Sequence, residues 1–221
     1  MPEVHKAIQS IIQAVHASTP DSSPRAAPQR VICISRDLGS GGGQVAALLG
    51  KRLGLDIYDW EILDRISKRL HADAETMRAV DAGARELRDL WLYSLVTGED
   101  LDADNYRRQL ENVVLSLGRS GGIILGRGAH LILARSGALR VRFTGSPEVC
   151  ARRLAAARGG DPAQWLTTID EVNHRRSKFV WDSFRARLND PRTFDITVNT
   201  DQFADLEKAV DLLVCMLAAV G

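Results

Sequence analysis

The sequence predicts an α/β fold: a doubly wound, five-stranded parallel sheet with helices on both faces. Three observations carry that expectation. Short β-rich runs alternate with stretches of helical periodicity from residue 31 onward. The runs at 31–34 and 123–125 are apolar at every position, as strands covered on both faces are. The first run passes directly into a glycine-rich turn and a helix, the connection that open α/β sheets place beside a ligand.

Composition narrows the class further. The 221 residues suffice for one large domain or two small ones, and 45% hydrophobic with 26% charged residues is ordinary for a soluble globular chain. Net charge is +1, so no global field draws in DNA, RNA or an anionic membrane. Cys33, Cys150 and Cys215 are scattered and odd in number, which fits reduced thiols in a cytoplasmic protein rather than a disulfide frame or a zinc site. No apolar run is long enough to span a bilayer, and the N-terminus lacks the apolar core of a signal peptide.

Taken in order, residues 4–17 form an amphipathic helix through Val4, Ile8, Ile11, Ile12 and Val15, expected to pack on the core. A Pro-, Ser- and Ala-rich linker follows, so the chain divides into residues 1–29 and a core domain at 30–221. After the strand at 31–34 come Gly39, Ser40, Gly41, Gly42, Gly43 and Gln44, and then a helix marked by Val45, Leu48, Leu49 and Leu53. A tight βα turn needs one or two glycines. Four glycines before a helix favour a phosphate site, with backbone N–H groups and the helix dipole aimed at one point. The Walker pattern is nevertheless absent. No lysine follows the glycines before Lys51, and no Ser or Thr opens the helix.

Gly54 suits a helix C-cap, and Ile57 and Tyr58 form a second strand. Asp59 at its end is either a ligand group or the N-cap of a helix at 60–70. Residues 73–118 carry two apolar stripes, Met77 to Leu95 and Tyr106 to Leu117, and form a helical insertion. Residues 122–126 are the third strand. Arg127 follows between two glycines, where its fork of donors suits a phosphate, while His130 starts a helix without chemistry. Residues 139–143 are the fourth strand, and Ser146 with Pro147 and Glu148 opens the next helix. A helical hairpin then carries Arg152, Arg153, Arg158, Arg175, Arg176, Lys178, Arg185 and Arg187, as a solvated face or as a lid over phosphates. Residues 194–198 are the fifth strand, and 205–219 a closing helix. The ligand site is expected along the C-terminal edge of the sheet.

Four segments together resemble the cytidylate kinase-like family, a nucleoside monophosphate kinase branch of the P-loop NTPases. They are Ile-Ser-Arg-Asp-Leu-Gly-Ser-Gly-Gly at 34–42, Leu-Asp-Ile-Tyr-Asp at 55–59, Leu-Gly-Arg-Gly-Ala at 125–129 and Asp-Pro-Arg-Thr-Phe-Asp-Ile-Thr-Val-Asn-Thr at 190–200. The resemblance implies a three-layer P-loop NTPase-like fold with a helical NMP-binding insertion at 60–118 and a lid at 152–190. It implies phosphoryl transfer from ATP, with Mg²⁺, to a CMP-like nucleotide. By resemblance, Asp59 and Arg127 belong to the acceptor site. Arg175 and Arg176 attend the transferring phosphoryl group, and Arg153 the adenine or donor phosphates. Gly42 stands where cytidylate kinases carry the catalytic lysine, Gln44 where they carry the Mg²⁺-binding hydroxyl, and Gly128 where they carry an aspartate. Gly43 replaces an arginine usual in the branch. No residue is assigned to metal.

Two functions follow: an ATP-dependent nucleotide kinase, which the arginines favour, and a nucleotide-binding or regulatory protein on a kinase scaffold, which the missing lysine favours. Arg36, where the glycine loop begins, is a candidate catalytic cation in place of the lysine. Its alternative is a salt bridge to Asp37, Asp59 or another acidic neighbour. Nucleotides are the expected partners, with no nucleic-acid polymer and no membrane, and a homodimer is left open.

Overall fold

The structure is a computed structural model that describes residues 30–59 and 103–220. The N-terminal helix, the linker and the first stripe of the insertion lie outside the described residues.

The described elements are β1 (Val31–Arg36), α1 (Gly42–Leu53), β2 (Ile57–Tyr58), α2 (Ala103–Ser120), β3 (Gly122–Leu125), the single-turn α3 (Ala129–Ile132), β4 (Leu139–Thr144), α4 (Pro147–Arg158), α5 (Pro162–Phe184), a 3₁₀ turn (Pro191–Thr193), β5 (Ile196–Asn199) and α6 (Glu207–Val220). The strands lie in the order β2-β3-β1-β4-β5, and every pair is parallel. β1 is central. The chain winds to β2 and β3 on one side of it and to β4 and β5 on the other, so a topological switch point falls at its C-terminal end.

The period-2 geometry of the strands sorts the core into two layers. Ile32, Ile34, Ile123, Leu125, Val141 and Phe143 pack with Val45, Leu49, Val210 and Leu213 beneath α1 and α6. Cys33, Val31 and Ile124 face Leu110, Val113, Val114 and Leu117 of α2 on the opposite side. A third, smaller cluster joins Cys150, Ala151, Leu154 and Ile169 of the α4–α5 hairpin to Leu38 at the start of the glycine loop. The hairpin therefore rests on the loop through apolar contact as well as through polar groups.

Several local expectations are shifted at the ends of elements. The first helix begins at Gly42, because Gly41 takes a left-handed N-cap conformation at φ 81. Ser146 precedes α4, but its side chain makes no capping bond; its backbone N–H donates to Asp201 Oδ1 at 2.8 Å instead. The basic helix ends at Phe184, with Arg185 left-handed at φ 52, so Arg187 lies beyond it. β5 starts at Ile196, since Phe194 closes the 3₁₀ turn through its N–H to the Pro191 carbonyl.

Candidate functional site

Register brings the chemistry to one edge. Ile34 pairs with Leu125 and Arg36 with Phe143, so Arg36 ends the central strand beside the turn that carries Gly126 and Arg127. Roofed by α5, this edge opens a cavity of about 490 Å³. Arg36 and Ser35 of β1, Arg127 and His130 after β3, and Arg175, Arg176 and Phe179 of α5 line it, with Val172, Val180 and Leu188. Four of the residues expected at the site thus meet in one cavity, each bearing a guanidinium group. No acidic side chain lines it among the described residues.

These cations are crowded. Burial, then the neighbouring Arg176, pushes the Arg36 pKa down to about 10, with Asp59 pulling the other way. Arg176 is also lowered, by burial first, while Asp37 opposes the shift and Arg142 adds to it. Arg176 donates to the Arg36 carbonyl at 2.9 Å. Arg127 holds a left-handed backbone at φ 51, uncommon for a residue with a Cβ. Its guanidinium lies 4.6 Å over the Phe179 ring, a cation–π contact that orients it.

The space beside Gly42, where the family resemblance expects a lysine, is filled. A Cβ added at Gly42 would lie 2.7 Å from Arg36 Cβ and 3.0 Å from Phe143 Cβ, too close for any side chain. Arg36 therefore leaves the backbone where a residue-42 side chain would have begun. Its Nη1 would stand 3.0 Å from a Cβ at Gly126, so the guanidinium reaches across toward β3. Asp37, one of its candidate partners, is engaged elsewhere. It accepts from Arg142 at 2.9 Å and from Thr144 Oγ1 at 2.7 Å, within a buried network that extends to Ser35 and Asn189. The aspartate of cytidylate kinases is excluded at position 128 as well, because Gly128 is at φ 70 and a Cβ there would meet Phe184 at 2.2 Å.

The glycine loop divides in two. Its first half is sealed: Gly39 packs under Cys150, and Asn173 Oδ1 accepts the Leu38 N–H at 2.9 Å. Ser40 is fully buried, with its hydroxyl donating to the Asp37 carbonyl at 2.9 Å and its own carbonyl accepting from Thr200 at 2.8 Å. The Ser40 hydroxyl thus holds the loop's shape and is not turned toward a ligand. The second half is open. The N–H groups of Gly42, Gly43 and Gln44 find no acceptor among the described residues, and a Cβ at Gly43 would meet nothing within 4 Å. Gln44 borders a second groove of about 540 Å³, between α1 and the segment before α6, lined also by Ala47, Leu48, Ala204, Asp205 and Leu206.

Arg153 lies apart from the arginine cavity. It donates to Thr200 Oγ1 at 2.8 Å, to the Thr200 carbonyl at 2.5 Å and to the Phe203 carbonyl at 3.2 Å, tying α4 to the turn after β5. Arg153 thereby fixes the turn at Thr200 and Phe203, on the far side of the glycine loop from the arginine cavity. Three contributors went unread in the sequence, Arg142, Asn173 and Phe179, while His130, expected only to start a helix, also lines the cavity. Arg142 had a signal, a charge in a strand otherwise due for burial. Asn173 and Phe179 each lie three residues from Arg176 along α5, and helical spacing alone does not say which of its faces meets the loop.

A parallel sheet with helices on both faces and a glycine loop at the end of its central strand, with cations gathered beside it, is the arrangement of a P-loop NTPase-like fold. The chain belongs to the cytidylate kinase-like family, whose sequence profile matches residues 31–202. Among solved structures, an uncharacterized protein from Eubacterium ventriosum ATCC 27560 superposes with a TM-score of 0.63 at 18% identity, over 86% of this chain and 99% of that one. A shikimate kinase from Bacteroides thetaiotaomicron is similar at TM-score 0.47 and 19% identity, over 86% and 98% of the two chains. A gluconokinase from Sinorhizobium meliloti 1021 gives 0.46 and 20%, over 89% and 95%. No curated protein matches the sequence. No helix among the described residues is long and apolar enough to cross a membrane.

Proposed function

We propose that the chain is a phosphotransferase that moves the terminal phosphoryl group of ATP to a nucleoside monophosphate or a related phosphorylated acceptor. The observation that carries this reading is the arginine cavity, with Arg36 rooted where a residue-42 side chain would start. An acceptor oxygen attacks the γ-phosphorus, the bond to the β-phosphate oxygen breaks, and ADP leaves with the electron pair. Charge accumulates on phosphoryl oxygens in that step, and fixed cations stabilise it. Arg36 supplies the charge a lysine gives elsewhere, and Arg175 and Arg176 add theirs from α5. Arg127 holds the acceptor's anion, and the open N–H groups of Gly42, Gly43 and Gln44 receive donor phosphates.

Mg²⁺ fits less well. Among the described residues no group of three or more His, Cys, Asp or Glu side chains converges on a point, and Asp37 is occupied by Arg142 and Thr144. Magnesium would arrive on the nucleotide's own oxygens, as it does where protein ligands are few.

The alternative, a nucleotide-binding regulatory protein, is favoured by the sealed first half of the loop, where Asn173 already takes the Leu38 N–H. A coupled assay of ATP against the common nucleoside monophosphates separates the two. The kinase reading expects turnover with at least one acceptor. It expects Arg36→Ala to lower kcat roughly 10²- to 10³-fold in a folded protein, with partial recovery in Arg36→Lys. Nucleotide binding without turnover on any acceptor selects the regulatory reading.

A further inference from the structure

On the reading above the arginine cavity takes anions, and among the described residues every charged side chain in its lining is cationic. Two lining residues offer uncharged polar groups, Ser35 and His130. Ser35 is partly committed, since its hydroxyl accepts from Arg142 at 3.1 Å. His130 is not. Its ring is 3% exposed and lies flat on Phe194, centroids 4.4 Å apart and planes at 17°. Its Nε2 is buried without a hydrogen-bond partner among the described residues.

Such a group calls for a reason, because an unpaired buried nitrogen is destabilising and native structures hold few of them. Packing alone does not supply it: a phenylalanine would stack on Phe194 as well and bury no nitrogen. Charge does not supply it either. Burial, then Arg142 and Arg140, lowers the His130 pKa to about 4, so at neutral pH the ring adds nothing to anion binding. What a neutral imidazole does offer is one donor and one acceptor. A half-turn about Cβ–Cγ exchanges the ring's edges while preserving its plane and its stack, so either nitrogen can be turned to a ligand.

We propose that His130 is a specificity residue that reads an uncharged polar group of the acceptor, a hydroxyl or a nucleobase edge, joined to the anion held by the arginines. The proposal rests on the reading of this cavity as the acceptor site, but not on catalysis.

The test is calorimetric binding without ATP, comparing inorganic phosphate with AMP, CMP, GMP and UMP, in the wild type, His130→Phe and His130→Asn. The expected result is that the best monophosphate binds the wild type more tightly than phosphate does. His130→Phe should then lose about tenfold of that affinity, the worth of one well-placed hydrogen bond, while phosphate affinity and melting temperature hold. His130→Asn, which keeps a donor and an acceptor, should lose less. Monophosphate affinity unchanged in a folded His130→Phe overturns the proposal. So does a wild type that binds no monophosphate better than phosphate. Should His130→Phe not fold, ¹⁵N spectra of the wild-type imidazole decide. A shift with monophosphate that phosphate does not produce supports the role, and equal or absent shifts overturn it. A chain that passes these tests yet transfers no phosphoryl group loses the phosphotransferase reading and keeps this one.

Discussion

At the scale of single residues, the polar interior at the end of β4 is where stability is most exposed to change. Arg142 and Asp37 form an ion pair with side chains 7% and 15% exposed. Removing one partner strands the other charge, so Asp37→Ala should cost about 3–5 kcal/mol in denaturant unfolding. Arg142→Met, which removes the other charge, added to Asp37→Ala should recover part of that loss, because neither charge is then left alone. His130 gives a pH signature. Its folded pKa of about 4 lies below the ordinary 6.5, so the unfolded chain binds the proton first as pH falls. Its contribution is fully present above pH 6.5 and is lost between there and pH 4, up to about 3 kcal/mol. Urea titrations over that range should show wild type falling relative to His130→Phe by that order, and parallel curves would refute the assignment. Neither residue's role could be read locally. The His130 ring is stacked on Phe194, and the Ser40 carbonyl is taken by the Thr200 hydroxyl, both partners distant in sequence.

At the scale of elements, the strands were legible and their neighbours were not. Apolar runs and glycine punctuation located all five strands to within two residues, because a buried parallel strand leaves a short β-branched signature whatever lies beside it. The α4–α5 hairpin shows the limit. Its basic residues announce a phosphate-facing element, but α5 presents Asn173, Arg176 and Phe179 to the site while Arg153 on α4 faces a turn. Which face of a helix meets the sheet edge is decided by Leu38, Ile169 and Leu154 packing together, a tertiary fact. This docking predicts hydrogen exchange. The Leu38 amide should be protected in the nucleotide-free protein, and Asn173→Ala should speed its exchange while leaving the β1 amides unchanged. Equal Leu38 exchange in the two proteins would mean that α5 does not hold the loop in solution.

At the scale of the whole molecule, the three cysteines report on integrity. Cys33 sits in the central strand and Cys150 under the loop, and burial pushes their pKa values up to about 12 and about 11. Cys215 is exposed on α6. Thiolate, the reactive form, is thus scarce at both buried positions. Thiol labelling of the folded protein near pH 8 should modify Cys215 alone, and the other two should react only at the rate of opening. Fast labelling of Cys150 with slow labelling of Cys33 would show that the hairpin lifts before the sheet unfolds. The overall plan was readable because alternating strands and helices admit few topologies. The strand order needed the structure, since nothing in β2 or β5 alone states which neighbour it joins.

The packing at Gly42 also bears on the routes by which such a site can change. A lysine gained at position 42 would collide with Arg36 Cβ and Phe143, so it is closed to this chain while Arg36 remains. Trimming Arg36 to glycine first would open the space but remove a cation from the cavity before its replacement arrived. Each single step passes through a worse intermediate, so the two positions are epistatic, and the substitutions should be harmful separately and compatible only together. An arginine at the end of the central strand and a side chain at position 42 are thus rival occupants of one space, and the order in which they change decides whether packing or charge is lost on the way.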